Sequence, residues 1–298
     1  MKVPFGMLAV DVDGTLITDH GAITDSVFSA LEKAADAGWE LVIASGRTFY
    51  AARRIAESLP YLRHAVLSNG ACIMDIREQR VIHMETLAEN AVRRSVDVMR
   101  GRGVVPTLYN TDQLNQRVYY DTVEGACEYF KWYVGNDPRC VMVDNVYDYT
   151  GDVLQIGSIA ERDVIFSIRD ELDGRDIHVV AMPFESPIFG GKNRDYWFVQ
   201  IVSTGATKHN ALGRLYDILN IPSGRLVAVG DNYNDADMIE HANFGVAMGN
   251  SPDEIKRLAK LVVGSNNHSG LSEVVGEVIL SGKYFPDTDG QRGGGNGR

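Results

Sequence analysis

Residues 7–15 of the chain are Met-Leu-Ala-Val-Asp-Val-Asp-Gly-Thr, an apolar run followed at once by two aspartates. The run at 7–10 is short and continuously apolar, which predicts a buried strand of a parallel sheet. Asp11 and Asp13 come directly after it, and residues two apart in an extended chain project to the same side. Gly14 then allows a sharp turn. The segment predicts a strand whose carboxyl end presents two carboxylates to one ligand.

Strands and helices alternate in the same way at both ends of the chain. Short apolar runs predict strands at 7–10, 41–44, 65–67, 226–229, 245–247 and 261–263. Amphipathic patterns predict helices at 24–37, 208–219 and 253–259, and Gly38 is a typical residue to end the first of them. This alternation predicts an α/β fold, with a Rossmann-like parallel sheet core and helices on both faces.

The central part of the chain has a different pattern. Longer, amphipathic strands are predicted at 104–109, 116–120, 153–159 and 196–201, with helices at 87–100, 123–133 and 162–172 between them. We therefore predict an α+β cap domain at 85–200, inserted into a discontinuous core of 1–84 and 201–284. Residues 285–298 are rich in glycine and predict a disordered tail.

Composition restricts the function. The chain has 298 residues and a net charge of −11, which argues against nucleic acid or an anionic membrane as a partner. No run approaches the roughly 18 apolar residues of a membrane span. The three cysteines have no CxxC spacing, which predicts neither zinc nor disulfides and fits a reducing cytoplasm. Because the average charge repels anions, a site for a phosphorylated substrate needs cations of its own.

A second acidic motif follows the predicted strand at 226–229. It is Gly-Asp-Asn-Tyr-Asn-Asp at 230–235, in which Asp231 and Asp235 lie one helical turn apart. Together with Asp11 and Asp13 they are expected to form a cluster of four carboxylates. Such a cluster repels itself unless a cation with oxygen ligands is bound, and Mg²⁺ is the natural candidate.

Two further segments suit a phosphate. Ser45, Gly46 and Arg47 follow the predicted strand at 41–44, so that a hydroxyl and backbone N–H groups can hold a phosphoryl group at the start of the next helix. Lys208 begins another predicted helix. A single lysine there is usually just a solvated charge, but an acidic phosphate site requires a nearby cation.

These motifs together resemble those of the haloacid dehalogenase-like superfamily. Asp11-Val12-Asp13-Gly14-Thr15, Ser45-Gly46-Arg47, Lys208 and Gly230-Asp231-x-x-Asn234-Asp235 occur in the order of that superfamily's four motifs. The segments 68–71 and 245–250, with the position and size of the insert, are similar to the Cof-type phosphatases. The resemblance extends to about residue 280.

The resemblance implies a magnesium-dependent phosphatase that forms an aspartyl-phosphate intermediate. Asp11 is expected to attack phosphorus, and Asp13 to protonate the leaving oxygen and then deprotonate the hydrolytic water. Ser45 and the Gly46 backbone are expected to hold phosphoryl oxygens, while Lys208 balances the charge.

The resemblance also implies a ligand set for Mg²⁺. Asp11, the Asp13 backbone carbonyl and Asp231 are expected to bind the ion, and Asp235 to orient its surroundings. Asn234 is expected to contact the phosphate. The cation shields one anion from another during attack.

The sequence indicates the substrate less sharply than the reaction. Arg47 matches an arginine common in the family and is expected near the substrate phosphate. Within the cap, Tyr109, Arg117, Phe184 and the cationic loop at 189–194 are candidates for substrate contacts. A small phosphorylated metabolite is expected, with sugar phosphates first, followed by flavin or pyridoxal phosphates.

Three other functions remain open at this point. A phosphomutase shares the nucleophile and cap type but returns the phosphoryl group to its substrate. A receiver-like signalling module also places acidic residues, a hydroxyl and a lysine on a parallel sheet, although it has no general acid two residues after its phosphoacceptor. A degenerate binding protein is the third, and the presence of every motif residue argues against it.

Overall fold

A computed structural model describes residues 3–174, 176–186 and 191–285 of the chain, with side chains left undescribed at 185, 186 and 191–194. The predicted tail therefore lies outside the described residues from 286 onward, and so do the side chains of the cationic loop at 189–194. Contacts divide the chain into one compact unit of Met1–Leu41 with Leu219–Arg298, and a second of Val42–Ile218. The division into core and cap at 84/85 and 200/201 stays a prediction.

The strands in chain order are β1 (Gly6–Val10), β2 (Trp39–Ala44), β3 (His64–Leu67), β4 (Cys72–Asp75), β5 (Arg80–Met84), β6 (Thr107–Asn110), β7 (Val118–Tyr120), β8 (Cys140–Met142), β9 (Val153–Glu161), β10 (Ile177–Ser186), β11 (Gly191–Ser203), β12 (Leu226–Gly230), β13 (Phe244–Ala247) and β14 (Leu261–Val262). The helices are α1 (Asp25–Asp36), α2 (Phe49–Ser58), α3 (Glu89–Gly101), α4 (Glu128–Asn136), α5 (Arg162–Leu172), α6 (Lys208–Ile218), α7 (Ala236–His241), α8 (Asp253–Leu258) and α9 (Gly270–Val274).

The first unit is built on a parallel sheet, as predicted. Its strands lie in the order β14-β13-β12-β1, and each neighbouring pair is parallel. All residues of β1, β12 and β13 are buried, which explains their continuously apolar sequences. Helix α1 begins and ends where the sequence predicts: the Thr24 side chain accepts a hydrogen bond from the Val27 N–H, and Gly38 follows the helix with φ +88°.

The second unit contains two sheet regions. From Val42 onward, β2 pairs in parallel with β3, and β4 and β5 continue this region antiparallel. A six-stranded sheet follows in the order β10-β11-β9-β6-β7-β8, antiparallel except for β7 and β8. Helices α3 and α5 cover one face of it with apolar side chains. This confirms the predicted α+β character of the central part of the chain.

Two expectations about composition can be checked within the described residues. No helix there has the length and apolar character needed to cross a membrane. The cysteines Cys72, Cys127 and Cys140 are free thiols, and burial raises the pKa of Cys72 to about 12. This thiol therefore stays protonated near neutral pH and packs as a small apolar side chain.

Candidate active site

Three carboxylates gather in the first unit, at the carboxyl ends of two parallel strands. Asp11 follows β1, whereas Asp231 and Asp235 follow β12. One oxygen from each of the three lies within 4.8 Å of the other two. Asp11 is 4% exposed and Asp235 is fully buried, so their negative charges are shielded little by water. Three hard oxygen donors at this spacing fit a small divalent cation such as Mg²⁺.

Hydrogen bonds hold Asp231 and Asp235 in place. The Asp235 Oδ2 atom accepts the backbone N–H groups of Asp231 at 2.9 Å and Asn232 at 3.0 Å, which fixes that carboxylate against the turn. Thr15 Oγ1 donates to Asp231 Oδ1 at 3.3 Å, and Asn250 Nδ2 donates to Asp231 Oδ2 at 3.2 Å. Both oxygens of Asp231 are therefore oriented by neighbouring side chains, as metal-binding carboxylates usually are.

Asp13 differs from the expected four-carboxylate cluster. Within the described residues, its side chain is exposed and does not belong to the group that Asp11 forms. The reason is local: the chain turns directly after β1, with the Leu16 N–H bonded to the carbonyls of Asp11 and Val12, so the two-residue period of a strand no longer applies. The expected metal contact of Asp13 through its backbone carbonyl is independent of this side-chain position.

Gly14 is required by its surroundings. Its φ is +76°, and a Cβ atom at this position would lie 2.3 Å from Asp231 Oδ2. We predict that Gly14→Ala lowers the free energy of unfolding by about 1–3 kcal/mol and displaces Asp231. Urea unfolding measures this loss. Gly21→Ala is the matched control, because Gly21 has the same φ with nothing within 4 Å. Equal losses in the two variants would refute the clash.

The segment after β2 forms a compact loop in the second unit. Ser45 is buried, and its Oγ accepts the Arg47 N–H at 3.1 Å. The Asn69 N–H donates to the Ser45 carbonyl at 3.1 Å, so the segment after β3 lies against this loop. The Arg47 guanidinium donates to the Ala51 carbonyl of α2 at 3.1 Å. Ser45 and Gly46 thus lie just before the N-terminus of α2, and their role as a phosphate cradle stays a prediction.

Lys208 is the first residue of α6 and is only 1% exposed. Burial of an ammonium group is costly unless anions compensate it, which distinguishes this lysine from a solvated surface charge. The preceding residue, Thr207, packs against Gly70, where a Cβ atom would meet the Thr207 carbonyl oxygen at 2.2 Å. Through Asn69 and Gly70, the second unit therefore brings the Ser45 loop and the start of α6 to the same region.

Comparison with known proteins identifies the family of the chain. The sequence profile of the haloacid dehalogenase-like hydrolases matches residues 8–275. The chain belongs to this family. It is thus a hydrolase. The family resemblance inferred from the motifs is confirmed, and so is the predicted α/β fold.

Individual relatives cover the chain almost completely. This haloacid dehalogenase-like hydrolase is 26% identical to 5-amino-6-(5-phospho-D-ribitylamino)uracil phosphatase YcsE of Bacillus subtilis over 93% of the chain and 97% of the relative. It is 24% identical to pyridoxal phosphate phosphatase YbhA of Escherichia coli over 90% and 97% of the two chains. The solved structure of a haloacid dehalogenase-like hydrolase from B. subtilis matches with a TM-score of 0.75 at 22% identity, covering 92% of this chain and 100% of that one.

Two further residues contact the segments that carry the three carboxylates, and neither was assigned a role from the sequence. Asn250 donates to the Gly14 carbonyl at 2.9 Å as well as to Asp231, and its own Oδ1 accepts the Asn266 N–H at 3.1 Å. Thr15 makes the second contact to Asp231. For Asn250 a signal was available, because it lies just beyond β13 at the same sheet edge as Asp231. Asn234 is half-buried in the turn between Asp231 and Asp235.

Proposed function

We propose that the protein is a cytoplasmic, magnesium-dependent phosphatase that hydrolyses a small phosphorylated metabolite through an aspartyl-phosphate on Asp11. The observation that carries this proposal is the group of three carboxylates around Asp11 in a chain of this hydrolase family. The phosphatase activity agrees with the names of the relatives YcsE and YbhA.

In this proposal an oxygen of Asp11 attacks phosphorus and the bond to the leaving oxygen breaks. Asp13 gives its proton to that oxygen and then takes one from the water that hydrolyses the aspartyl-phosphate. The exposure of Asp13 suits a group that must reach substrate and water. Ser45 and the Gly46 N–H hold phosphoryl oxygens, and Lys208 balances their charge.

Asp11, Asp231, Asp235 and the Asp13 carbonyl would hold Mg²⁺. When bound, the ion supplies charge neutralisation and orientation, which lets a carboxylate approach a phosphate monoester. Asn234 and Arg47 contact the substrate phosphate in this proposal. The other cap candidates fit less uniformly, since Tyr109 is buried, Arg117 is exposed and Phe184 is half-buried.

The relatives favour no single substrate, because YcsE and YbhA are named for a ribityl phosphate and for pyridoxal phosphate. We propose a sugar phosphate or a similar polyol phosphate. Phosphate release from sugar, nucleotide and cofactor phosphates with Mg²⁺ tests the function. Stoichiometric inorganic phosphate supports a phosphatase. Transfer back to the substrate would indicate a phosphomutase, and a stable phosphoprotein without turnover a signalling module.

The acid-base role of Asp13 has a distinct signature. We expect Asp13→Asn to lower kcat by about 10²–10⁴-fold on an alkyl phosphate, because the alkoxide leaving group must be protonated. The loss in the rate of aspartyl-phosphate formation should be much smaller with p-nitrophenyl phosphate, whose leaving group departs without a proton. Rapid-quench measurement of p-nitrophenol release resolves this step. Equal losses in that rate with both substrates would remove Asp13 from the role of general acid.

A further inference from the structure

One face of the six-stranded sheet carries several buried polar side chains, beside an apolar cluster packed under α4. The opposite face is the apolar one under α3 and α5, which includes Leu108, Ile156 and Ile201. Residues alternate across a strand, so Tyr109 of β6, Gln155 of β9 and Gln200 of β11 share the polar face. Their register agrees, because Tyr109 pairs with Gln155, and Gln200 pairs with Gly157, two residues along β9.

Gln200 joins this polar face to the loop after β2. Its Nε2 donates to the Gly46 carbonyl at 3.1 Å, and its Oε1 accepts from Asn69 Nδ2 at 2.5 Å. Gln200 is buried, so these bonds are shielded from water. Gln155 is the diagonal neighbour of Gln200, and such neighbours lie about 7–8 Å apart. A single small molecule can therefore contact both the Gln155 side chain and the Ser45–Gly46 segment.

A second contact joins the region of the six-stranded sheet to the loop after β2. Arg139 is 9% exposed, and its Nη1 donates at 2.7 Å both to Thr48 Oγ1 and to Gln116 Oε1. Asp137 binds the other side of the guanidinium, with Nη2 to Oδ2 at 2.6 Å. Thr48 occupies the N-cap position of α2, yet its hydroxyl makes no capping bond. The usual capping residue is thus engaged by Arg139, which fixes the inserted sheet next to the proposed phosphate cradle.

Gln155 is unusual within this well-bonded surface. Its side chain is 1% exposed, but its Oε1 has no hydrogen-bond partner among the described residues. By contrast, Thr107 on the same face donates to the Gly157 carbonyl at 2.8 Å. A buried carbonyl oxygen without a donor destabilises the folded protein, so a residue of this kind needs an explanation. A ligand with O–H or N–H groups would supply the missing donor.

The groups near Gln155 indicate which ligands fit. Burial raises the pKa of Tyr109 to about 12, so its phenol, which is hydrogen-bonded to the Tyr133 hydroxyl, is neutral near pH 7. The positive charge of Arg139 acts on both phenols. Asp137 pairs with Arg139, so the net charge beside the phenols is small. Neutral hydroxyl groups suit a surface of carboxamides and phenols, since they both donate and accept.

We infer that Gln155 is a specificity-determining residue that binds a hydroxyl group on the carbon chain of the substrate, which makes the preferred substrate a polyol phosphate. The inference rests on the proposed phosphatase function and names the substrate class of that same site. A sugar phosphate and a ribityl phosphate share this chemistry. A flat ring with few hydroxyls, such as pyridoxal phosphate, offers the Gln155 carboxamide fewer hydrogen-bond donors.

The test replaces Gln155 with leucine, which has a similar volume and no polar group. We measure kcat/KM for glucose 6-phosphate and for hexyl phosphate, which have the same number of carbons but differ in hydroxyls. Ribitol 5-phosphate and pyridoxal phosphate complete the panel. They show whether the enzyme prefers a polyol chain or a flat ring next to the phosphate. In Gln155→Leu we expect kcat/KM for glucose 6-phosphate and for ribitol 5-phosphate, each divided by kcat/KM for hexyl phosphate, to fall by about 10-fold or more.

Stability distinguishes a ligand-binding residue from a structural one. Because the buried Oε1 lacks a partner, Gln155→Leu should melt at the same Tm as the wild type or higher. Ser158→Ala is the control, since Ser158 is a buried polar residue of the same strand whose hydroxyl donates to the Val105 carbonyl at 2.7 Å. Its Tm should fall, and its substrate ratio should stay at the wild-type value.

An unchanged substrate ratio in Gln155→Leu, or a lowered Tm with unchanged selectivity, would overturn the inference and leave a water-bound structural glutamine. The rise in Tm that each compound causes on binding is recorded as well. If the wild type releases no phosphate from any compound, the proposed function fails. The rise in Tm that glucose 6-phosphate causes then tests Gln155. A rise in the wild type that is lost in Gln155→Leu supports the inference. No rise in the wild type, or the same rise in the variant, refutes it.

Discussion

Asp11→Asn is expected to lower phosphate release by at least about 10⁴-fold, because an amide oxygen is a poor nucleophile and cannot form the aspartyl-phosphate. The substitution changes one atom and removes one charge from the three-carboxylate group. The folded structure should survive, since the asparagine keeps the volume of the aspartate at a buried position. Steady-state release from the best substrate of the panel, with a thermal melt of each variant, is the measurement.

Two comparisons make the result specific. Asp36→Asn removes one negative charge from the exposed last turn of α1 and should leave the rate unchanged. Asp11→Asn should bind inorganic phosphate at least as well as the wild type, because a negative charge next to the phosphate is gone. Activity within about 10-fold of the wild type would exclude Asp11 as the nucleophile.

Removal of divalent cations is the second change with a large expected effect. With excess chelator we expect the rate to fall by about 10³-fold or more, since the charge of three close carboxylates and a phosphate is then uncompensated. Added Mg²⁺ should restore the rate. Full activity in chelator would contradict the interpretation of this group as a metal site.

A binding measurement supports this result independently of turnover. Mg²⁺ should raise the Tm of the wild type, because it relieves the repulsion among the carboxylates. In Asp231→Asn the rise should need a higher Mg²⁺ concentration. Asp253→Asn is the control on an exposed first helical turn, and it should respond to Mg²⁺ as the wild type does. Equal Mg²⁺ responses of all three proteins would remove Asp231 from the ligand set.

The parallel strands were predictable because burial on both faces requires a continuously apolar sequence. Strand β1 was predicted at 7–10 and spans Gly6–Val10, and β13 was predicted at 245–247 and spans Phe244–Ala247. Helix α5 matches its prediction at both ends. The positions of Asp11 and Asp231 follow from these strands, since residues directly after neighbouring parallel strands lie at one edge.

The predicted elements differ from the structure where single residues override a pattern. Strand β6 begins at Thr107 rather than at 104, because Pro106 has no N–H to donate. Helix α4 begins at Glu128 rather than at 123, since Gly125 adopts φ +72° in the preceding turn. Strand β10 was not predicted, and it contains Pro183, where the register with β11 shifts.

Contacts between distant segments could not be predicted from one sequence. The bond from Asn69 to Gln200 joins residues 131 positions apart, and Arg139 meets Thr48 across 91 positions. Motif spacing indicates which side chains share a strand end, but not which side chains of an inserted sheet face them. The carboxylate group was therefore accessible to sequence analysis, whereas the polar face with Gln155 required three-dimensional packing.

The central claim is that the phosphoryl group passes through Asp11, and trapping this intermediate tests it most directly. Asp13→Asn should slow hydrolysis of the aspartyl-phosphate, so this variant is mixed with p-nitrophenyl phosphate and Mg²⁺ and quenched in acid. Mass spectrometry of the peptides then locates any added phosphoryl group. We predict the mass of one HPO₃ on Asp11 and its absence in Asp11→Asn. A phosphoryl group on another residue would contradict the account. So would steady phosphate release from the wild type with no phosphorylated peptide in the wild type or in Asp13→Asn.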